Sequence, residues 1–356
     1  MRVAITAGGT GGHVYPAVAV ATALLARGDQ VHWIGRPDSL EESEARALGA
    51  DFCPIRLLGL KRRWSWENVR ALICFVRGRR LAREILQRIR AEVLFALGSY
   101  VSAPAISAAL SLRLPVLVHE QNVVPGLVVR AYARKVAMVL LAKPLAGKGI
   151  DGRARVVGMP LRPGIVLDRR EEWYLDLGLS PSQKTLFIFG GSQGARSLCT
   201  VGLELARNWN ANRPDWQILL QTGRANLEWV QQRGASNNLV PVAHLREMGK
   251  AYACADVVVA RSGAVSCAEL EAVGKPAVLV PFPSATQDHQ RLNAEEFLKA
   301  HAGILLAEDQ LDVSSLDRAV MELAQKQPLT GIVQNGADPV GRIVSAIDEI
   351  ARGRKP

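Results

Sequence analysis

Gly8-Gly9-Thr10-Gly11-Gly12-His13 follows the apolar run Val3-Ala4-Ile5-Thr6 and opens the small-residue stretch from Ala17 to Ala26. A second turn of the same kind, Gly190-Gly191-Ser192-Gln193-Gly194-Ala195, follows Thr185-Leu186-Phe187-Ile188-Phe189 about half a chain later. Each reads as a buried strand, a tight glycine turn and a helix start. That order aims backbone N–H groups and the positive end of a helix at a phosphate. Two such units predict an α/β protein of two Rossmann-like, doubly wound domains facing a cleft. The arrangement suits a nucleotide-linked donor on one side and an acceptor on the other.

Working outward, apolar runs alternate with helical patterns along the chain. The strand-like runs are Val3–Thr6, Gln30–Ile34, Val93–Leu97, Val116–His119 and Met138–Leu141, then Leu186–Phe189, Ile218–Gln221, Val257–Ala260 and Ala277–Pro281. Most are continuously apolar rather than alternating, the mark of parallel strands covered on both faces. A chain of 356 residues, 49% hydrophobic, is long enough for two full cores. The Gly- and Pro-punctuated segment from Val157 to Gly164 is the expected hinge. Val340 to Ile350 reads as a last helix, whose negative end the basic tail Arg352-Gly353-Arg354-Lys355 complements.

Five scattered cysteines, Cys53, Cys74, Cys199, Cys254 and Cys267, show no zinc spacing and predict a reduced, cytoplasmic protein. The chain runs directly into a strand, so no signal peptide is expected, and no apolar run reaches the ~18 residues that span a bilayer. Net charge is +11. The excess concentrates between 61 and 90, where ten Lys and Arg face two Glu. Trp64, Trp66, Leu72, Phe75 and Val76 lie among those charges. Basic residues with interfacial aromatics suit an anionic membrane surface, less readily nucleic acid. The plain alternative is a solvated helix whose apolar side (Leu72, Phe75, Val76, Ile85, Leu86, Ile89) faces its own core.

The first glycine turn lacks the Lys-Ser/Thr of a Walker A loop and the spacing of a dinucleotide site. His13 closes it at the expected helix start, placed to act as a base or phosphate partner. Gly190–Gly194 also fits a Gly-x-Ser-x-Gly nucleophile elbow, with Asp256 and His289 or His301 as nominal partners. A phosphate cradle built on Ser192 and backbone amides is the better account, because the other half of the chain carries a matching turn. His119-Glu120-Gln121-Asn122 ends a strand where α/β ligands bind. Arg261-Ser262-Gly263-Ala264-Val265-Ser266 is a third strand–turn–helix unit, with Glu269 about one turn in, able to accept from a ribose diol. Gln287-Asp288-His289-Gln290-Arg291-Leu292-Asn293 is a polar cluster fit to read sugar hydroxyls. No Asp-x-Asp occurs, so no essential metal or cofactor is expected. Helix ends and Arg162 would take the charge of a leaving diphosphate.

Six of these segments, Gly8–His13, His119–Asn122, Gly158–Arg162, Gly190–Ala195, Arg261–Ala264 and His289–Ala294, occur in an order that resembles the MurG family of bacterial cell-wall glycosyltransferases. The resemblance implies a GT-B fold with domains 1–161 and 162–336 and a last helix, 337–356, crossing back to the first. It implies inverting transfer of N-acetylglucosamine from UDP-GlcNAc to the C4 hydroxyl of N-acetylmuramic acid in undecaprenyl-linked lipid I, giving lipid II for peptidoglycan. Another UDP-sugar enzyme of this fold, a lipid glycosyltransferase or a UDP-GlcNAc 2-epimerase, is the alternative. The implied location is peripheral, on the cytoplasmic face of the membrane, with 61–90 as the docking stretch, cell-wall synthesis proteins as possible partners and no nucleic acid.

Carried over by position, Ser192 and the Gly190–Gly194 backbone resemble diphosphate contacts. Leu245 falls at a backbone contact to uracil, and Glu269 at the ribose ligand. Ala264, Val265 and Ser266 resemble the loop lining diphosphate and sugar, and Gln290 a contact to a GlcNAc hydroxyl. Thr10, Gly11, Gly12, His13, Asn122 and Arg162 complete the surround of the donor. His13 is the candidate base and Glu120 the second choice. Ser99 and Ala103 stand where the family commonly has Gly, and Met159 where it commonly has Asn.

Overall fold

The computed structural model describes residues 1–57, 66–146, 150, 153–234, 236–285, 288–326 and 338–353, of which 66–68 by backbone alone. Lys61 to Trp64, the Trp66 side chain, Gln287, Arg354 and Lys355 lie outside the described residues. The chain forms two compact units, Met1–Arg162 with Ala337–Pro356, and Pro163–Gly336.

In the first unit the chain runs β1 (Arg2–Thr6), α1 (Gly11–Ala26), β2 (Gln30–Gly35), α2 (Leu40–Ala47), β3 (Asp51–Pro54), α3 (Trp66–Arg88), β4 (Val93–Ala96), α4 (Ala103–Ser111), β5 (Val116–Glu120), α5 (Leu127–Tyr132), β6 (Met138–Leu141) and β7 (Ala154–Val156). The strands are all parallel, in the order β3-β2-β1-β4-β5-β6-β7. Chain order reverses between β1 and β4, the place where open α/β sheets receive ligands. Val3, Ile5, Phe95, Leu117 and Leu140 face one core with Val14, Val18 and Leu24 of α1. Ala4, Leu94, Val116 and Val118 face the other with Ile85 and Leu86 of α3 and Ile106 of α4.

The second unit runs α6 (Glu171–Asp176), β8 (Lys184–Phe189), α7 (Arg196–Asn212), β9 (Trp216–Gln221), α8 (Arg224–Gln232), β10 (Leu239–Val242), α9 (Met248–Cys254), β11 (Val257–Ala260), α10 (Ala264–Val273), β12 (Ala277–Leu279), α11 (His289–Leu298), β13 (Gly303–Leu305) and α12 (Val313–Ala324). Its parallel sheet is ordered β10-β9-β8-β11-β12-β13 and again reverses beside its first strand. Trp209 and Trp216 pack 5.2 Å apart beneath it, and the indole of Trp209 donates to Asp317 at 2.6 Å.

The last helix, α13 (Pro339–Arg352), joins the first unit. Ile343, Ala346 and Ile347 enter the core of α1, and Arg27 pairs with both oxygens of Asp348 at 2.7 and 2.9 Å. The strand expectations hold, and four further strands appear: β3, β7, β10 and β13. Each is an edge strand.

Candidate active site

Helices α2, α12 and α13 are capped by their own side chains: Ser39 accepts from Glu42, Asp312 from Ser315 and Asp338 from Gly341. The three helices that begin at the turns singled out above, α1, α7 and α10, have no side-chain cap bond and no acidic residue in the first turn. The same holds for α4, α5, α8, α9 and α11, so it is the glycine turn at a strand end that sets these three apart as places for an anion.

In the first unit Thr10 is the N-cap residue of α1, Gly11 and Gly12 begin the helix and His13 is its third residue. The His13 ring lies with Nδ1 3.4 Å from Thr10 Oγ1. When Nδ1–H donates to that hydroxyl, Nε2 is the basic nitrogen. Ser99 is accommodated where the glycine was expected because its hydroxyl meets Ser102 Oγ at 3.2 Å, and Ser102 donates to the Thr6 carbonyl at 3.0 Å.

The end of β5 departs from expectation. Glu120 is buried, and both its oxygens are engaged. Oε1 accepts from Asn122 N at 2.9 Å and Asn122 Nδ2 at 3.1 Å, and Oε2 from Gly126 N at 2.7 Å. Burial raises its pKa above the ordinary carboxylate value against those donors. Glu120 therefore fastens the loop from 121 to 126. Asn122, half-buried, is held by the same carboxylate.

His119 is likewise internal. Its Nε2–H donates to the Gly158 carbonyl at 3.0 Å, and Nδ1 accepts from Gln121 Nε2 at 3.0 Å, tying β5 to the hinge segment. Burial lowers its pKa to about 4, the Gly158 bond opposing and His13 adding slightly. The fold thus holds His119 neutral. Between pH 6.5 and about 4 the unfolded chain binds a proton that the folded chain refuses, so stability falls as pH drops through that window. The loss expected by pH 4 is about 3 kcal/mol. Denaturant titrations of the wild type and His119→Gln check it. Equal pH slopes in the two proteins would remove the assignment.

The first compact unit ends at Arg162, one residue beyond the expected boundary of 161. The physical reason is a stack: its guanidinium lies 3.8 Å over the Tyr15 ring of α1.

In the second unit, Ser192 is half-buried in the turn after β8. The turn closes by a bond from Gly194 N to Gly191 O at 3.1 Å. A Cβ on Gly194 would lie 1.9 Å from the Thr222 carbonyl oxygen, so this turn and the end of β9 meet backbone to backbone. Ala264, Val265 and Ser266 form the first turn of α10 rather than a loop. Glu269 is buried on that helix and accepts from the Tyr252 hydroxyl at 2.8 Å. Leu245, expected to present its backbone, donates its N–H to Gln221 Oε1 at 2.9 Å. Gln290 Oε1 accepts from Phe282 N at 2.8 Å. Arg261 is buried, paired with Glu308 and bonded to the Val280 and Pro281 carbonyls at 3.2 and 3.1 Å and to Ser197 Oγ at 3.0 Å.

The hydrolase alternative fails in this unit. Asp256 precedes β11 and accepts from Thr185 N at 2.7 Å and from Arg169 at 2.9 Å, whereas Ser192 follows the C-terminal end of the adjacent parallel β8. The two are separated by the length of a four-residue strand, roughly 13 Å.

Sequence reasoning missed Tyr252 and Gln221. Gln221 carried a signal, a polar residue closing a buried apolar strand. Tyr252 carried none, because α9 meets α10 only through tertiary packing.

On α3 the plain alternative also needs correction. Ala71, Ala82, Ile85 and Leu86 are buried, but Leu72 and Val76 are each 60% exposed, as are Val69 and Ile73 to a lesser degree. Positions 69, 72, 73 and 76 share a stripe at helical spacing, on the face opposite the buried one. Exposed Arg80 and Arg83 continue that face one turn on. Among the described residues no helix is long and apolar enough to cross a membrane.

Residues 3–141 match the model of the glycosyltransferase family 28 N-terminal domain, and residues 185–332 that of the family 28 C-terminal domain. The chain is 33% identical, over 99% of its length and 100% of the relative's, to the UDP-N-acetylglucosamine–N-acetylmuramyl-(pentapeptide) pyrophosphoryl-undecaprenol N-acetylglucosamine transferase of Halothermothrix orenii. To the transferase of the same name from Moorella thermoacetica it is 36% identical, over 96% and 95% of the two chains. The crystal structure of Acinetobacter baumannii MurG superposes with a TM-score of 0.71 at 26% identity, covering 98% of this chain and 99% of that one. The glycotransferase of kitacinnamycin, at 17% identity and a TM-score of 0.74, shares the fold.

Proposed function

The chain belongs to glycosyltransferase family 28, and on that premise we propose that it moves N-acetylglucosamine from UDP-GlcNAc to the C4 hydroxyl of the muramic acid of undecaprenyl-linked lipid I, giving lipid II. The observation that carries this reading is the match to a transferase named for that reaction along the whole of both chains.

The chemistry is a single displacement. His13 Nε2 removes the proton of the acceptor hydroxyl as its oxygen attacks the anomeric carbon. The bond from that carbon to the diphosphate oxygen breaks, inverting the configuration, and UDP departs with the electron pair. The second unit holds the donor. Glu269, oriented by Tyr252, accepts from the ribose diol, and the Leu245 backbone reads uracil. Ser192, the Gly190–Gly194 amides and the first turn of α10 (Ala264, Val265, Ser266) receive the diphosphate, and Gln290 a sugar hydroxyl. Gly11, Gly12, Thr10 and Asn122 line the approach in the first unit. Uncapped helix ends and Arg162 take the charge developing on the leaving group without a metal, so turnover should persist in a chelator.

The exposed stripe Val69, Leu72, Ile73 and Val76, with Arg80 and Arg83 beyond it, supports docking on an anionic membrane face. Leu72→Asp with Val76→Asp should release the protein from anionic vesicles in a sedimentation assay. The rate on a short-chain, water-soluble acceptor should stay unchanged. Equal retention of both proteins on the vesicles would refute the docking face.

The reaction itself is tested by transfer of labelled N-acetylglucosamine to a short-chain lipid I analogue. Tight UDP-GlcNAc binding with no transfer to that acceptor would overturn the reading.

A further inference from the structure

Arg36 is the first residue after β2, and it reaches across the C-terminal end of β1 to Tyr100, beyond the end of β4. Its Nη1 donates to the Tyr100 hydroxyl at 2.7 Å, and its guanidinium lies 5.7 Å from the centre of that ring. The bridge therefore spans the point where strand order reverses, directly beside the first glycine turn.

A buried carboxylate holds it there. Glu41, its side chain 1% exposed, accepts from Arg36 Nε at 2.9 Å. Glu41 fills a notch that only missing side chains leave open: a Cβ on Gly8 would lie 2.4 Å from Glu41 Oε1, and one on Gly35 2.9 Å from Glu41 Cγ. Burying a carboxylate is costly unless it is paired, so the glycines at 8 and 35 and the acid at 41 form one device for aiming Arg36.

The pairing is one-pointed. A buried Arg–carboxylate pair is commonly two-pronged, but here only Nε meets Glu41 and only Nη1 meets Tyr100. Nη2 makes no hydrogen bond among the described residues, and the Arg36 side chain is 28% exposed, so one donating edge faces outward. The neighbouring α1 starts without a cap bond or an acidic residue. In doubly wound folds an arginine near the end of the second strand accepts the extra phosphate of a dinucleotide, so this place in the fold is suited to an oxyanion.

We propose that Arg36, aimed by Glu41 and Tyr100, is a specificity-determining contact for an oxyanion of the acceptor. This rests on the lipid I reading above. The acceptor carries two sources of that chemistry, the diphosphate and the carboxylates of its stem peptide. Arg36→Met keeps the stem's packing and removes the donors, and Arg36→Lys keeps the charge without the fork.

Steady-state kinetics would be run with a short-chain lipid I analogue and with the same analogue bearing amidated stem carboxylates. UDP affinity is measured separately. Arg36→Met is expected to raise acceptor KM about tenfold or more, and Arg36→Lys less, with the Kd for UDP unchanged. A rise with both acceptors assigns the oxyanion to the diphosphate, and a rise confined to the carboxylate form assigns it to the stem. An unchanged acceptor KM, or an equal loss of UDP affinity, overturns the proposal. If the wild type turns over neither acceptor, the lipid I reading is what fails. Calorimetric binding of the diphosphate analogue to wild type and Arg36→Met then still decides the role of Arg36.

Discussion

His13→Ala lowers kcat by about 10²–10⁴-fold, the range lost when a positioned general base is removed, while UDP binds with wild-type affinity. The expectation follows from separable duties. Thr10 and His13 belong to the first unit, where the ring is fixed by its place in the first turn of α1 and by Thr10 Oγ1 at 3.4 Å. The proposed contacts to uracil and ribose, Leu245 and Glu269, belong to the second. Glu120 is already engaged by Asn122 and Gly126, whereas His13 closes the glycine turn. Single-turnover rates with donor and acceptor both saturating give the comparison. A His13→Ala enzyme within tenfold of wild type would remove His13 as the base. A fall in rate matched by lost UDP binding would mean the substitution damaged the fold instead.

Gly194→Ala costs about 3 kcal/mol or more and abolishes measurable UDP binding. Gly194 has φ +75°, and its missing Cβ would fall 1.9 Å from the Thr222 oxygen and 2.6 Å from the Thr222 carbon. Neither is a flexible side chain that can turn aside. Thr222 N is itself bonded to the Val242 carbonyl at 2.9 Å, which locks the end of β9. Gly191 is the internal control. Its φ is +84°, but nothing lies within 4 Å of its Cβ position, so Gly191→Ala should cost only about 1 kcal/mol, the left-handed backbone penalty alone. Denaturant midpoints and UDP calorimetry on the two variants distinguish close approach from backbone angle. Equal effects would show that the angle, not the Thr222 contact, requires glycine.

Every strand read from the sequence proved interior to its sheet, and every strand missed lies at a sheet edge. The reason is burial. A strand covered on both faces must be apolar throughout, as Val257–Ala260 is, and so announces itself. An edge strand is short and need not be: Asp51–Pro54 and Leu239–Val242 contain proline, and Ala154–Val156 is exposed at all three positions. The same division runs through the site. Glycine turns after apolar strands were legible because local backbone geometry demands them. The occupation of Glu120, the neutrality of His119 and the partnership of Glu269 with Tyr252 were not, because each depends on residues brought near by packing.

The sequence by itself determined the two α/β units, the turns at Gly8–His13 and Gly190–Ala195 and the helices they open, since strand burial and tight turns are written in local residue order. Only the tertiary structure decided which polar groups face a ligand. It turned His119 and Glu120 into fasteners, left Leu72 and Val76 of α3 exposed, and set Arg36 across the end of β1 on a carboxylate that two glycines make room for. A polar side chain's role depends on whether its donors and acceptors are already satisfied, and that is settled by neighbours remote in the chain.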